Sequence, residues 1–151
     1  RDTAFGLGFL AIVLFVNVFL FMQIFFWFMR SCGKIVTVSP YTLIARFMGA
    51  ILMMCLTQLA SILMWTAVLH LNGLIDDVTK AMLFAGSCYT TLGVYADILP
   101  HGWKLVAFYI AFSGLFSFAI ATSAMMSMLS LISKRIYEEE SASSPTPQKR
   151  P

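Results

Sequence analysis

The sequence predicts an all-α membrane protein. Three transmembrane helices are joined by a fourth, shorter helix that enters the bilayer without crossing it and runs into a loop. Three observations predict this class. The chain is 60% hydrophobic and only 11% charged, too few charges for a soluble domain to cover its apolar surface. The charges also cluster and leave residues 3–29, 47–75 and 105–133 with none. Each of these runs exceeds the roughly 20 residues that a helix rising about 1.5 Å per residue needs to cross the hydrocarbon core. The uncharged run 81–96 is shorter and contains Gly86, Ser87, Thr90, Thr91 and Gly93. Irregular backbone persists at membrane depth only where protein or a water-filled cavity surrounds it. This run therefore reads as re-entrant, with an external surface loop as the alternative.

Residues 1–40 form an N-terminal unit. Its helix, about 4–29, is rich in Phe, Val, Leu and Ile, and Asn17 and Gln23 are its only amide side chains. Such amides bond to a neighbouring helix for about 0.6–2 kcal/mol, and packing contacts are the role expected of them. The turn RSCGKIVTVSP follows, broken by Gly33 and Pro40.

The second unit is 41–135. A helix at 41–71 carries Tyr41 and Trp65 as interface anchors. Asn72-Gly73 marks a turn. Asp76 or Asp77 then caps a short helix at 77–89, because a carboxylate accepts from the free N–H groups of a first turn. The loop 90–97 follows. Pro100-His101-Gly102 is a second break, and a last helix spans 103–133. The polar tail 136–151 has no apolar period and is predicted to be disordered, with Glu138–Glu140 as a solvated helix end.

Charge placement sets the orientation. Arg30, Lys34 and Arg46 lie between the first two spans, and Lys134 and Arg135 follow the third. The Lys/Arg bias puts that connection and the C-terminus in the cytoplasm and the N-terminus outside. The chain opens on Arg1 rather than Met, as a trimmed chain does, and its first span lacks a signal-peptide cleavage site.

Several chemistries find no support. There is no nucleotide loop, HExxH, CxxC or nucleophile elbow, so neither an enzyme nor a cofactor is expected. His70 and His101 flank the re-entrant run and read as interface histidines rather than a metal pair. Cys32, Cys55 and Cys88 lack metal-ligand spacing. No carboxylate lies within a span, which argues against a proton-coupled transporter, and the repeated arginines of a voltage sensor are missing.

Helix, hydroxyl-rich loop and helix together suit a cation. A helix C-terminus carries about half a negative charge, and a strand of hydroxyl and carbonyl oxygens replaces the water around an ion. One chain supplies one such strand, so a ring of oxygens requires a closed symmetric assembly. AMLFAGSCYTTLG (81–93), with Asp97, Ile98, Pro100 and Trp103 beyond it, resembles the potassium-channel superfamily string A-L-x-F-x-x-x-T-x-T-T-[LV]-G-Y-G-D-[IV]-x-P. The similarity is to the pore unit of bacterial channels with two transmembrane helices, and it covers about 43–132. The helix of residues 4–29 and the tail lie outside it.

The resemblance implies a homotetramer in a bacterial inner membrane. It makes 41–71 an outer helix, 77–89 a pore helix, 90–97 a filter and 103–133 an inner helix. The filter would be Thr90, Thr91, Leu92, Gly93, Val94, Tyr95, Ala96 and Asp97, with potassium or sodium as the permeant ion. Asp76 and Asp77 would ring the outer mouth, although capping alone explains Asp77, and Lys80 and Lys104 partly offset them. Ser123, Ser127 and Ser130 share one helix face and would line the inner cavity. Small-residue packing is the alternative for this helix, given Ser113, Ser117 and Ala121. Gly114 would be a hinge, or simply a site of close packing.

The chain departs from the pattern at Gly93-Val94-Tyr95-Ala96-Asp97, where the family has Gly-Tyr-Gly-Asp. The stretch is one residue longer, and alanine replaces a glycine in left-handed backbone, at roughly 1 kcal/mol or more. One alignment keeps Thr91-Leu92 in register, and the other keeps Tyr95 and Asp97. Under the first, the outer half widens and potassium selectivity weakens. A non-conducting, channel-like subunit is the rival expectation.

Overall fold

The computed structural model describes residues 2–33, 40–93, 99 and 103–143. The described residues form four helices: α1 (Asp2–Gly33), α2 (Pro40–Leu71), α3 (Val78–Tyr89) and α4 (Lys104–Ser143). No strand occurs among the described residues. Spans of Gly6–Ser31, Tyr41–Leu71 and Lys104–Tyr137 are long and apolar enough to cross a membrane.

Two boundaries differ from expectation. Helix α1 runs on through Arg30–Gly33, which the sequence reading assigned to a turn. Helix α4 continues to Ser143, so 136–143 is helical rather than disordered tail. The residues there include Ile136, Tyr137 and three glutamates, which propagate a helix already nucleated upstream at little cost. Residues 144–151 lie outside the described residues.

Large apolar side chains face outward on all three long helices: Phe15 is 73% exposed, Leu52 61% and Phe118 69%. Lipid is as apolar as these groups, so nothing drives them inward and interior positions are decided by fit. Two clusters form the interior. One gathers Trp65, Leu69, Phe84, Tyr89 and Ile110 around α3. The other joins Phe21, Phe28, Met54 and Met128 at the opposite end of the spans. Helix α3 is wedged between α2 and α4, and α1 packs against both of those long helices. Arg46 of α2 donates to the Ser31 carbonyl near the end of α1, a cation on the negative end of a helix.

The α2–α3 turn is built from backbone hydrogen bonds. Leu74 N donates to Leu69 O at 3.0 Å and Gly73 N to His70 O at 3.0 Å, with Gly73 at φ +64°. This is a Schellman cap, with glycine in the left-handed position that suits it. His70 is occupied within the same turn, its Nδ1 donating to the Ile75 carbonyl at 3.2 Å. His101 lies outside the described residues. No cluster of three metal-ligating side chains occurs among those described.

Candidate ion-conducting site

Helix α3 begins where a carboxylate can cap it. Asp77 has extended backbone, and its Oδ1 accepts from Thr79 N at 2.9 Å. Asp76 and Asp77 are both exposed. The capping role is therefore filled, and Asp77→Ala should cost about 1 kcal/mol of stability. Thermal unfolding of the purified protein measures this, and Asp76→Ala, which removes no cap, should leave the midpoint nearly unchanged.

The other end of α3 is held by side chain and backbone together. The Tyr89 hydroxyl donates to Gln58 Oε1 of α2. The Tyr89 carbonyl packs on Gly114 of α4. A Cβ at that glycine would overlap the carbonyl oxygen and lie 2.9 Å from the carbonyl carbon. Gly114 is thus a site of close approach between α3 and α4, and α4 continues through it as helix.

Beyond Tyr89 the chain turns sharply. Thr91 N donates to Cys88 O at 2.9 Å and Leu92 N to Ser87 O at 2.8 Å, while Gly93 N also reaches Ser87 O at 3.1 Å. This repeats the cap that ends α2, but the left-handed position holds Thr91, at φ +61°. A β-branched residue there carries about 1–2 kcal/mol of strain. Gly93 is left-handed as well, at φ +64°, and Leu92 between them is not. The sign of φ therefore alternates along Thr91-Leu92-Gly93.

Oxygens at this turn fall into two groups. The carbonyls of Gly86, Ser87 and Cys88 accept from the turn's own N–H groups, and Gly86 O also accepts from Thr90 Oγ1 at 2.8 Å. The Thr91 hydroxyl donates to Thr90 O at 2.7 Å. The carbonyls of Thr91 and Leu92 accept no hydrogen bond among the described residues. Thr90 through Gly93 are all exposed. The helix-end oxygens that sequence reasoning aimed at a cation are thus largely occupied, and the free oxygens lie one step later. Val94, Tyr95, Ala96 and Asp97 lie outside the described residues, as does the strain expected at Ala96.

Ser123, Ser127 and Ser130 are brought together. With Phe25, Met29, Met126 and Leu131 they line an open cavity of about 540 Å³. All three serines are exposed, and Ser127 Oγ donates to Ser123 O at 3.0 Å. Ser113, Ser117 and Ala121 are buried. The buried set therefore packs between helices, and the exposed serines lie on a different face of α4.

Sequence reasoning gave Asn17 only a packing role. In the fold it is buried and bridges three helices. Ser61 Oγ of α2 donates to Asn17 Oδ1 at 2.7 Å, and Asn17 Nδ2 donates to Ser117 Oγ of α4 at 2.9 Å. Trp65 was read as an interface anchor but is fully buried, its Nε1 donating to Ser113 Oγ at 2.9 Å. The available signal was an amide and hydroxyls inside spans, where lipid offers polar groups no partner.

Compared with known proteins, the chain finds no match among family models, among curated proteins or among solved structures.

Proposed function

We propose that this chain is the subunit of a homotetrameric channel for monovalent cations in a bacterial inner membrane, N-terminus outside and C-terminus cytoplasmic. The observation that carries this reading is the left-handed Thr91 and Gly93 flanking Leu92, which is not left-handed, directly after a short helix, with the Thr91 and Leu92 carbonyls accepting no hydrogen bond among the described residues. Alternating handedness turns successive peptide groups the same way. Oxygens from several chains then meet around one axis and replace an ion's hydration shell. The pattern also favours the alignment that keeps Thr91 and Leu92 in register. Under that alignment the extra residue and Ala96 fall to the outer half, so fewer dehydrated sites follow one another and potassium is favoured over sodium only weakly. Asp76 and Asp77 sit at the α3 entrance, where they concentrate cations within roughly 8 Å at physiological salt.

The mass of the particle tests the assembly. Native mass spectrometry of the full chain released from detergent should give four copies. A single copy leaves the free carbonyls with no partners and removes the reading.

One observation favours a second reading, a non-conducting structural or regulatory subunit. The chain's own N–H groups cap the last α3 carbonyls, which withdraws those oxygens from any ion. Tetramers that pass no cation in any gradient would establish that alternative.

A further inference from the structure

Helix α1 lies outside the pore pattern, and a peripheral helix sealing the pore unit against lipid would need no buried polar contact. Asn17, near the middle of its span, is 1% exposed and bonds to α2 and α4 at once. Its partner Ser117 lies one turn beyond Gly114, where the Tyr89 carbonyl packs. Trp65 of α2 holds Ser113, just before that glycine. One short stretch of α4 is therefore gripped from three sides: by α3 at Gly114, by α2 at Ser113 and by α1 at Ser117. A second close approach lies further along α1, where a Cβ on Gly6 would come within 2.7 Å of the Tyr109 ring.

We infer that Asn17 is a positioning residue for the pore: through Ser117 it sets the balance between two placements of α4 relative to the 91–93 turn. The inference rests on the cation-channel reading. Any rigid shift of α4 past α1 breaks the Asn17–Ser117 bond, and no water is at hand in the bilayer core to replace it. The arrangement that keeps the bond is favoured by the factor the bond supplies. For side chains paired between membrane helices, this is roughly 3- to 20-fold in an equilibrium constant. Asn17 itself touches none of the 91–93 oxygens, so it acts on opening and not on the ion's path.

Single-channel recording of the full chain in phosphatidylethanolamine–phosphatidylglycerol bilayers tests this. Asn17→Leu and Ser117→Ala should each move the ratio of open to closed dwell times by about 3- to 20-fold, with unitary current and cation preference unchanged. The double variant should match Asn17→Leu alone, because Asn17→Leu already removes the one bond that Ser117→Ala breaks. Asn17→Gln, which keeps the carboxamide, should recover part of the parent ratio. A purely structural Asn17 would lower the number of active channels and leave dwell times at the parent values; that result overturns the inference. If Asn17→Leu does not assemble, Ser117→Ala decides alone. A parent protein with no unitary currents overturns the channel reading, and the inference with it, whereas a conducting parent with unmoved dwell times overturns the inference only.

Discussion

Gly114→Ala should unfold or disassemble the protein rather than retune it. Within a helix, alanine is intrinsically better than glycine by about 1 kcal/mol, so on propensity alone the change stabilises. Contact geometry opposes it. The new methyl would overlap the Tyr89 carbonyl oxygen and lie 3.2 Å from Tyr89 Cα. Both are backbone atoms of α3, and backbone has no rotamer to escape into. Relief requires moving α3 or α4 as a body, which strains the Tyr89–Gln58 and Trp65–Ser113 hydrogen bonds. Overpacking of this kind costs about 1–3 kcal/mol and sometimes more, enough to outweigh the helical gain. The thermal midpoint and the yield of assembled particle should both fall sharply. A glycine that served only as a hinge would give a well-folded variant with altered opening. Gly8→Ala, on a helical glycine with open space around it, is the matched control and should be neutral or slightly stabilising.

On the channel reading proposed above, Gly93→Ala should abolish ion passage while leaving the helices intact. Gly93 has open space where a Cβ would sit, so no clash contributes; the cost is the left-handed backbone alone, about 1–2 kcal/mol per chain. In a four-chain ring each copy carries that cost. The adjoining Thr91 is already strained in the same sense, so the turn has little reserve and should relax to right-handed backbone, carrying the Leu92 carbonyl away from the axis. Gly73 offers a control, with the same φ of +64° and the same open space, in the turn that ends α2. Gly73→Ala should lower stability by a similar amount per chain and leave cation flux per assembled particle unchanged. Circular dichroism, particle yield and flux separate the two variants. Equal flux losses would show that the handedness of the 91–93 turn has no special role.

The spans were legible in the sequence because lipid imposes a length that charge-free runs reveal. The start of α3 was legible as well, since a capping carboxylate acts on the next few residues and needs no tertiary partner. Other features were hidden for definite reasons. Asn17 is visible as an amide, but its partners Ser61 and Ser117 come from other helices and only packing brings them together. Thr91 gave no hint of left-handed backbone, because its β-branched side chain disfavours it. The conformation is imposed by the cap that returns the Leu92 and Gly93 N–H groups to Ser87. Gly114 read equally as hinge or packing until the Tyr89 carbonyl was placed against it. The continuation of α4 through 136–143 was missed because the stretch has no apolar period, and a helix already under way needs none.

Cation flux into sealed liposomes carrying the purified full chain tests the central claim most directly. Potassium and sodium should both enter, well above empty vesicles, with a potassium preference clearly weaker than that of channels with an intact Gly-Tyr-Gly filter. Vesicles loaded with tetramers yet as tight as empty ones to both ions would contradict it.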